Sequence, residues 1–292
     1  MTESLLRYDR NIRLFGEDGQ RKLREASVVV AGSGGLGSPL AQQLALLGVG
    51  KVTPIDDEEL DETNRNRFVG ARHSDPVPGS LKVDLVSRLV REINPDVMVD
   101  PIPHSLVSER SFAAVKASDY VFGCFDEDGP RFVLNEICAA YRKPYIDLAS
   151  DVPEPGVYGG RVCVSHNADG CIVCLDELDM GDVNYYLAND AQRETHDKIY
   201  GIDKAALEQK GPSVAPLNSV IAGLAAMEFM VLATGLRVPR RLLHYSGHKG
   251  TVASRSDAPK PDCFICKNIF GAGVAADVER YLSMPHLQQW RR

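Results

Sequence analysis

The decapeptide Val28-Val-Val-Ala-Gly-Ser-Gly-Gly-Leu-Gly37 joins an apolar run to a turn that is rich in glycine. A helical pattern from Pro39 to Leu47 follows, and a second apolar run ends at Asp56. Proline suits the first turn of a helix because its missing N–H would have no intrahelical partner there. This order of strand, tight turn, helix and strand predicts the nucleotide-binding half of a Rossmann-like unit.

The glycine turn and the strand after it supply candidate nucleotide contacts. Small residues let the backbone approach a phosphate, and the start of the next helix offers free N–H groups and the positive end of its dipole. Asp56 lies where such units place a carboxylate on the ribose hydroxyls. The turn alone does not specify the nucleotide, so a nicotinamide dinucleotide stays open at this point. The glycines concerned are Gly32, Gly34, Gly35 and Gly37.

Three residues downstream of Asp56 favour a triphosphate over a dinucleotide. Asn64 and Arg67 follow an acidic run at 56–62, and Lys82 follows Gly79-Ser-Leu. They offer a carboxamide, a guanidinium and an ammonium, and a triphosphate needs more neutralisation than the pyrophosphate of a dinucleotide. Most of the acidic run itself is expected to be a solvated loop.

Alternating strands and helices up to Ala149 predict a parallel sheet. The strand Tyr120 to Phe125 ends at Asp126, on the edge of the sheet where open α/β proteins bind ligands. Asp126 has two interpretations: a cap for a helix at 129–141, or a carboxylate that faces the nucleotide phosphates through Mg²⁺. The strand predicted at 156–164 has no crossover helix before it, so it should run antiparallel.

The composition indicates a globular protein, with 44% hydrophobic and 25% charged residues among 292. A net charge of −7 disfavours non-specific binding to nucleic acid. No apolar run is expected to approach the ~20 residues of a membrane span, and residues 1–13 lack a signal-peptide core. We therefore expect a cytoplasmic protein with no nucleic-acid or membrane partner.

Four of the seven cysteines form two Cys-x-x-Cys pairs. A gap of two residues lets both sulfurs of a pair reach one ion, and four thiolates complete the tetrahedral shell of Zn²⁺. A redox motif would open a helix after a strand, which neither pair is expected to do, and a disulfide would need an oxidising compartment. We predict a closed structural zinc knuckle made by Cys171, Cys174, Cys263 and Cys266.

The motifs, taken in order, are Arg7-Tyr-Asp-Arg10 with Gly19-Gln20, the turn 32–37, Asp56, Asn64 with Arg67, Lys82, Cys124-Phe-Asp126 and the two cysteine pairs. Together they resemble the ThiF/MoeB adenylyltransferases, the bacterial relatives of ubiquitin-activating enzymes. The resemblance covers Leu6 to Cys266. It implies an α/β fold with a Rossmann-like parallel sheet, extended by antiparallel strands and carrying the zinc knuckle. The parts it implies are an N-terminal helical arm at 1–27, an adenylation domain at 28–270 with a crossover loop at about 176–210, and a C-terminal tail at 271–292.

The resemblance also implies an activity and its residues. Such enzymes bind Mg·ATP and adenylate the C-terminal carboxylate of a ubiquitin-like or sulfur-carrier protein, or of a peptide, with release of pyrophosphate. That carboxylate is already ionised at neutral pH, so the step needs no general base. The implied roles are nucleotide approach at Gly34 and Gly35, ribose binding at Asp56, phosphate binding at Asn64, Arg67 and Lys82, Mg²⁺ binding at Asp126, and contact of Arg10 with the γ-phosphate in the neighbouring protomer of a homodimer.

Two departures from the family pattern bear on the function. Phe68 stands where glutamine is common, and no cysteine lies between Cys174 and Cys263. A loop-borne thioester needs a thiol, so we expect the reaction to end at the adenylate. A nicotinamide-dependent oxidoreductase would leave Lys82 and the cysteine pairs without a role. A non-catalytic module that pairs with an active partner would not need the complete set of phosphate-binding residues.

Overall fold

The structure, a computed structural model, describes residues 6–193, 212–255 and 259–288. In these residues a mixed eight-stranded sheet has the strand order β3-β2-β1-β4-β5-β6-β7-β8. The strands are β1 (Ser27–Ala31), β2 (Lys51–Ile55), β3 (Met98–Val99), β4 (Tyr120–Gly123), β5 (Tyr145–Glu154), β6 (Val157–Ser165), β7 (Leu242–Ser246) and β8 (Thr251–Arg255).

The sheet is parallel from β3 to β5 and antiparallel from β5 to β8. This confirms the predicted α/β class and the antiparallel direction of the strand after Gly156. Strand β1 lies between β2 and β4, so the strand order reverses there. A crevice forms at such a reversal outside the carboxyl ends of the strands, where ligands of open α/β sheets bind.

Nine α-helices are described. They are α1 (Asp9–Glu25), α2 (Gly37–Leu47), α3 (Lys82–Ile93), α4 (Glu109–Ala117), α5 (Asp128–Ala140), α6 (Met180–Leu187), α7 (Ala215–Thr234), α8 (Arg280–Ser283) and α9 (Pro285–Gln288). Helix α1 consists of two helical pieces that meet at Gly16, where a φ of 77° interrupts the helical geometry.

Helices cover both faces of the sheet, which gives two apolar cores. Helices α2, α3 and α7 pack on one face, together with Leu23 of α1. Helices α4 and α5 pack on the other face with the four cysteines and the C-terminal segment. Residues 271–288, which belong to the expected C-terminal tail, contribute the buried Tyr281, whose hydroxyl donates to Glu136 Oε2 at 2.6 Å.

Helix α7 is long and apolar enough to cross a membrane, so the expectation that no apolar stretch approaches that length is wrong for this helix. Its packing is that of a core helix, because 61% of its most apolar window is buried. The ring of Phe229 meets those of Tyr120 and Phe122 edge-on, with centroids 5.0 and 5.6 Å away. Glycine closes the helix, since Gly235 adopts the left-handed conformation that favours glycine at a helix end.

Candidate functional site

The turn between β1 and α2 needs glycine at its two ends because the backbone closes on itself. Gly32 has a φ of 91°, and a Cβ there would lie 2.7 Å from the carbonyl oxygen of Cys124, the residue that follows β4. A Cβ on Gly37 would lie 1.9 Å from the carbonyl oxygen of Gly32. The turn is therefore held against the end of β4, on the carboxyl edge of the sheet.

The two middle glycines have different surroundings. A Cβ on Gly34 would meet no atom within 4 Å, so this position faces open space. A Cβ on Gly35 would lie 2.5 Å from Nδ2 of Asn218 and 3.1 Å from Cδ of Arg67. Among the described residues, Ser33 Oγ and Asn218 Oδ1 are buried without a hydrogen-bond partner. An open cradle beside two buried polar atoms fits a polar ligand such as a nucleotide.

Asp56 connects the end of β2 to the glycine turn. Its Oδ2 accepts from the N–H of Ser33 at 2.7 Å, and its Oδ1 accepts from the N–H of Glu58 at 2.9 Å. Burial raises the pKa of Asp56 to about 6, and the charge of Lys82 opposes that rise. The carboxylate is thus held beside the glycine turn, in a position to accept from a ribose hydroxyl.

Asn64 and Arg67 belong to one compact turn after the acidic run. Asp61 caps the short helix Glu62–Asn64, and Asn64 Oδ1 accepts in return from the N–H of Asp61 at 3.2 Å. Arg67 Nη1 donates to the carbonyl oxygen of Thr63 at 2.5 Å. The stem of Arg67 lies against Gly35, while its guanidinium donates to Thr63 and Asn66.

Lys82 begins helix α3, and only 7% of its side chain is exposed. It forms an ion pair with Glu58 Oε2, and its N–H donates to the carbonyl oxygen of Glu58 at 3.0 Å. The sequence predicted that Glu58 lies in a solvated acidic loop. A run of acidic residues does not indicate which of its side chains will pair with a buried cation. An anion that enters the crevice would compete with Glu58 for this ammonium.

Asp126 follows β4 and is exposed at the carboxyl edge of the sheet. The N-cap residue of α5 is Glu127, and the N–H of Asp128 donates to Asp182 Oδ2 at 2.8 Å. The first N–H of α5 is therefore satisfied by Asp182. A carboxylate at this place suits Mg²⁺, which prefers oxygen ligands beside phosphates.

A buried ion pair, which the sequence did not predict, fixes the loop before Asp126. Arg131 is 3% exposed and donates to Asp147 Oδ1 and Oδ2 at 2.8 and 2.7 Å. It also donates to the carbonyl oxygen of Phe125. Arg161 Nη2 lies 3.3 Å from the same Asp147 Oδ2. No periodicity in the sequence signals such a pair, because its partners come from α5 and β5.

Arg10 is placed away from this crevice in its own protomer. Two residues earlier, the hydroxyl of Tyr8 accepts from Asn94 Nδ2 at 2.8 Å and also packs under Gly48. Asn94 directly follows the end of α3, and Gly48 directly follows the end of α2. Both helices begin at the crevice, so Tyr8 lies at their far ends. Each helix is about 15 Å long or more at 1.5 Å per residue. The structure thus brings together the glycine turn, Asp56, Arg67 and Lys82, puts Asp126 on the neighbouring strand end, and leaves Arg10 exposed elsewhere.

The four paired cysteines form one buried cluster. Their sulfurs all lie within 4.8 Å of one another. The separations are 3.9 Å for Cys171–Cys174, 3.8 Å for Cys171–Cys263 and 3.5 Å for Cys174–Cys266. Four sulfurs at ~2.3 Å from a tetrahedral zinc are about 3.8 Å apart. The cluster therefore has the geometry of a structural zinc site, as the spacing of the pairs predicted.

Comparisons with known proteins agree with this geometry. A sequence model described as the ThiF family matches residues 8–265. Adenylyltransferase and sulfurtransferase MOCS3 of Aedes aegypti is 27% identical over 96% of the chain, which spans 59% of that protein's length. The SAMP-activating enzyme E1 of Haloferax volcanii is 37% identical over 45% of the chain and 49% of its own length. The structure of E. coli MccB with ATP has a TM-score of 0.70 at 22% identity, covering 89% of this chain and 74% of MccB, and supports the fold.

Proposed function

The chain belongs to the ThiF family, and on that premise we propose that it uses Mg·ATP to adenylate the C-terminal carboxylate of a ubiquitin-like or sulfur-carrier protein, or of a peptide. A carboxylate oxygen forms a bond to the α-phosphorus while the bond to the bridging oxygen breaks, giving an acyl-adenylate and pyrophosphate. One observation carries the proposal. Arg67 packs against the glycine turn, and Lys82 lies beside Asp56, whose carboxylate accepts from the N–H of Ser33 in that turn.

The proposed roles follow from what each group can donate or accept. Asp56 accepts from the ribose hydroxyls, and Gly34 leaves space for the phosphates. Asn64, Arg67 and Lys82 balance the charge that moves to the leaving pyrophosphate, which is electrostatic stabilisation by pre-positioned groups. Asp126 is the residue that would hold Mg²⁺, which neutralises phosphate charge when bound. Arg131 keeps the loop before Asp126 in place through the oxygen of Phe125.

Arg10 is proposed to act in the partner protomer of a homodimer. The packing of Tyr8 holds this arm at the far ends of α2 and α3, so Arg10 would reach a γ-phosphate only across an interface. The division into an arm at 1–27, an adenylation domain at 28–270 and a tail at 271–292 is part of the same proposal.

The acceptor chemistry is proposed from the sequence between the cysteine pairs. No cysteine lies between Cys174 and Cys263, so we infer that this member lacks a thiol in its crossover loop and ends its own reaction at the adenylate. The proposed loop at 176–210 includes residues 194–210, which lie outside the described residues. The acyl group would then pass to an external amine or sulfur donor.

The cysteine cluster is proposed to hold Zn²⁺ as a staple. One pair follows β6 and the other follows β8, so four thiolates join the two ends of the antiparallel extension and leave no open coordination position. Free thiolate ligands need a reducing compartment, and we place the protein in the cytoplasm on that ground.

Exchange of labelled pyrophosphate into ATP tests the proposal, run with a panel of ubiquitin-like proteins and peptides that end in Gly-Gly. We expect exchange that depends on a free terminal carboxylate. Lys82→Ala and Asp126→Ala should each lower the rate by about 100- to 1,000-fold. Lys51→Ala is a matched control, because Lys51 pairs with Asp100 at the other end of β2. Full exchange in the Lys82 and Asp126 variants would contradict their roles, and NAD binding in place of ATP would contradict the function.

A further inference from the structure

A buried ion pair fastens the loop that follows Arg67 to helix α3. Asp75 is 8% exposed, and its Oδ1 and Oδ2 accept from Arg88 Nη1 and Nη2 at 2.6 and 2.7 Å. The N–H of Arg72 also donates to Asp75 Oδ2, at 2.7 Å. Because the Arg88 guanidinium stabilises the carboxylate, the pKa of Asp75 is lowered to about 2. The pair is therefore ionised at neutral pH, and paired hydrogen bonds between charged groups are strong.

Arg65 fastens the same loop at its other end. Its Nη1 donates to the carbonyl oxygen of Arg72 at 2.7 Å, and its Nη2 donates to the carbonyl oxygen of Asp75 at 2.8 Å. Both acceptors belong to the turn that the Asp75 carboxylate closes through the N–H of Arg72. Arg65 stands between Asn64 and Arg67 in the chain. The backbone that carries these two candidate phosphate-binding residues is therefore tied to that turn.

Helix α3 contacts this loop and also carries Lys82. Arg88 Nη2 donates to the carbonyl oxygen of Gly70 at 2.9 Å. A Cβ on Gly70 would lie 3.1 Å from Cβ of Leu89, so the loop backbone passes close to the helix. Lys82 is the first residue of the same helix, and Arg88 lies about 9 Å further along it at roughly 1.5 Å per residue. One helix therefore carries the ammonium of Lys82 and holds the loop that carries Arg67.

We propose that Asp75 and Arg88 are a positioning pair, which sets the place of Arg67 relative to Lys82 on the nucleotide phosphates. The inference rests on the proposed function, because it takes these two cations to bind phosphate. The pair itself touches no nucleotide and acts through the loop. The ribose contact should be independent of the pair, since Asp56 is held by backbone N–H groups of the glycine turn and of its own loop.

Calorimetric titration with two ligands tests this assignment: adenosine, and the magnesium complex of a non-hydrolysable ATP analogue. Asp75→Asn keeps the size of the side chain and removes its charge. It should weaken binding of the ATP analogue by about tenfold, the loss expected when one hydrogen bond to a charged group is misaligned. Adenosine should bind as it does to the wild type. Arg88→Lys keeps the positive charge without the paired geometry, so it should give the same pattern if the Asp75 variant does not fold.

A double variant shows whether the pair acts through Arg67. Arg67→Ala alone should weaken binding of the ATP analogue. Adding Asp75→Asn should weaken it no further, because the effects of two residues that act through one group do not add. An additive loss in the double variant would overturn the inference, and so would an unchanged affinity for the ATP analogue in Asp75→Asn alone.

Glu228 and Arg237 form a matched control pair in the second half of helix α7. Glu228 is 2% exposed, and its carboxylate accepts from both Nη atoms of Arg237 at 2.9 and 2.6 Å and from the N–H of Arg240 at 2.7 Å. Glu228→Gln should lower the midpoint of thermal unfolding as Asp75→Asn does, without changing the affinity for either ligand. Equal loss of both ligands in Asp75→Asn, or loss of the ATP analogue in Glu228→Gln, would overturn the inference. Failure of the wild type to bind the ATP analogue at all would instead overturn the proposed function.

Discussion

Replacing Gly35 by alanine tests how the glycine turn positions the phosphate-binding groups. The new Cβ would lie 2.5 Å from Asn218 Nδ2 and 3.1 Å from Arg67 Cδ, whereas ordinary contacts are ~3.5–4.0 Å. Asn218 is 1% exposed, and its Nδ2 donates to Ser213 Oγ at 3.0 Å, so it has little room to move. Overpacking of this kind costs about 1–3 kcal/mol. In a chain of this size the midpoint of thermal unfolding should fall by roughly 2–10 °C.

Gly34→Ala is the matched control, since a Cβ there meets nothing within 4 Å. Thermal unfolding followed by circular dichroism, with and without Mg·ATP, compares the two variants. We expect Gly34→Ala to unfold at the wild-type temperature without ligand but to gain less stability from the nucleotide, because its methyl group occupies the open cradle. Gly35→Ala should be destabilised even without ligand. Wild-type unfolding of Gly35→Ala, or an equal loss in Gly34→Ala, would refute the described packing of the turn.

Three further predictions concern the metal, a carboxylate and the buried ion pair. Elemental analysis should find one zinc per chain, and Cys266→Ser should lose it and several kcal/mol of unfolding free energy; a zinc-free wild type of equal stability would contradict this. Burial raises the pKa of Asp56 in the folded chain from 3.8 to about 6, so the free energy of unfolding should fall as the pH rises from about 4 to 6. Over the same range the affinity for adenosine should rise, because the carboxylate becomes ionised. Asp56→Asn should remove the pH dependence of both quantities. Arg131→Met should cost about 3 kcal/mol in urea unfolding, because buried Asp147 then keeps only Arg161 as a charged partner, and adding Asp147→Leu should restore part of it; additive losses would contradict the pairing.

The sequence was informative wherever local pattern determines structure. The glycine turn and the antiparallel strand after Gly156 follow from turn chemistry and from the order of the elements. Ser108, a residue type that favours helix starts, caps α4 by accepting from the N–H of Ser111. The cysteine cluster also followed from sequence, because the two-residue gap within each pair already constrains where its sulfurs can meet.

Partners that come from distant elements were not visible in the sequence. Arg131 and Asp147 find each other only when α5 packs on β5, and Asn218 reaches Gly35 only when α7 covers the turn. Glu58 could not be told from its acidic neighbours until Lys82 was placed beside it. Helix α6 was hidden in a polar segment that has little apolar periodicity, because capping and the contact of Tyr186 with Gly129 hold it rather than a wide apolar face.

Calorimetric titration of the whole chain with Mg·ATP and, separately, with NAD addresses the central claim most directly. The residues around the glycine turn predict a single ATP site per chain, lost in Lys82→Ala and retained in Lys51→Ala, with no binding of NAD. Binding of NAD with no binding of Mg·ATP, or ATP affinity that is unchanged in Lys82→Ala, would contradict the assignment of this crevice to adenylate chemistry.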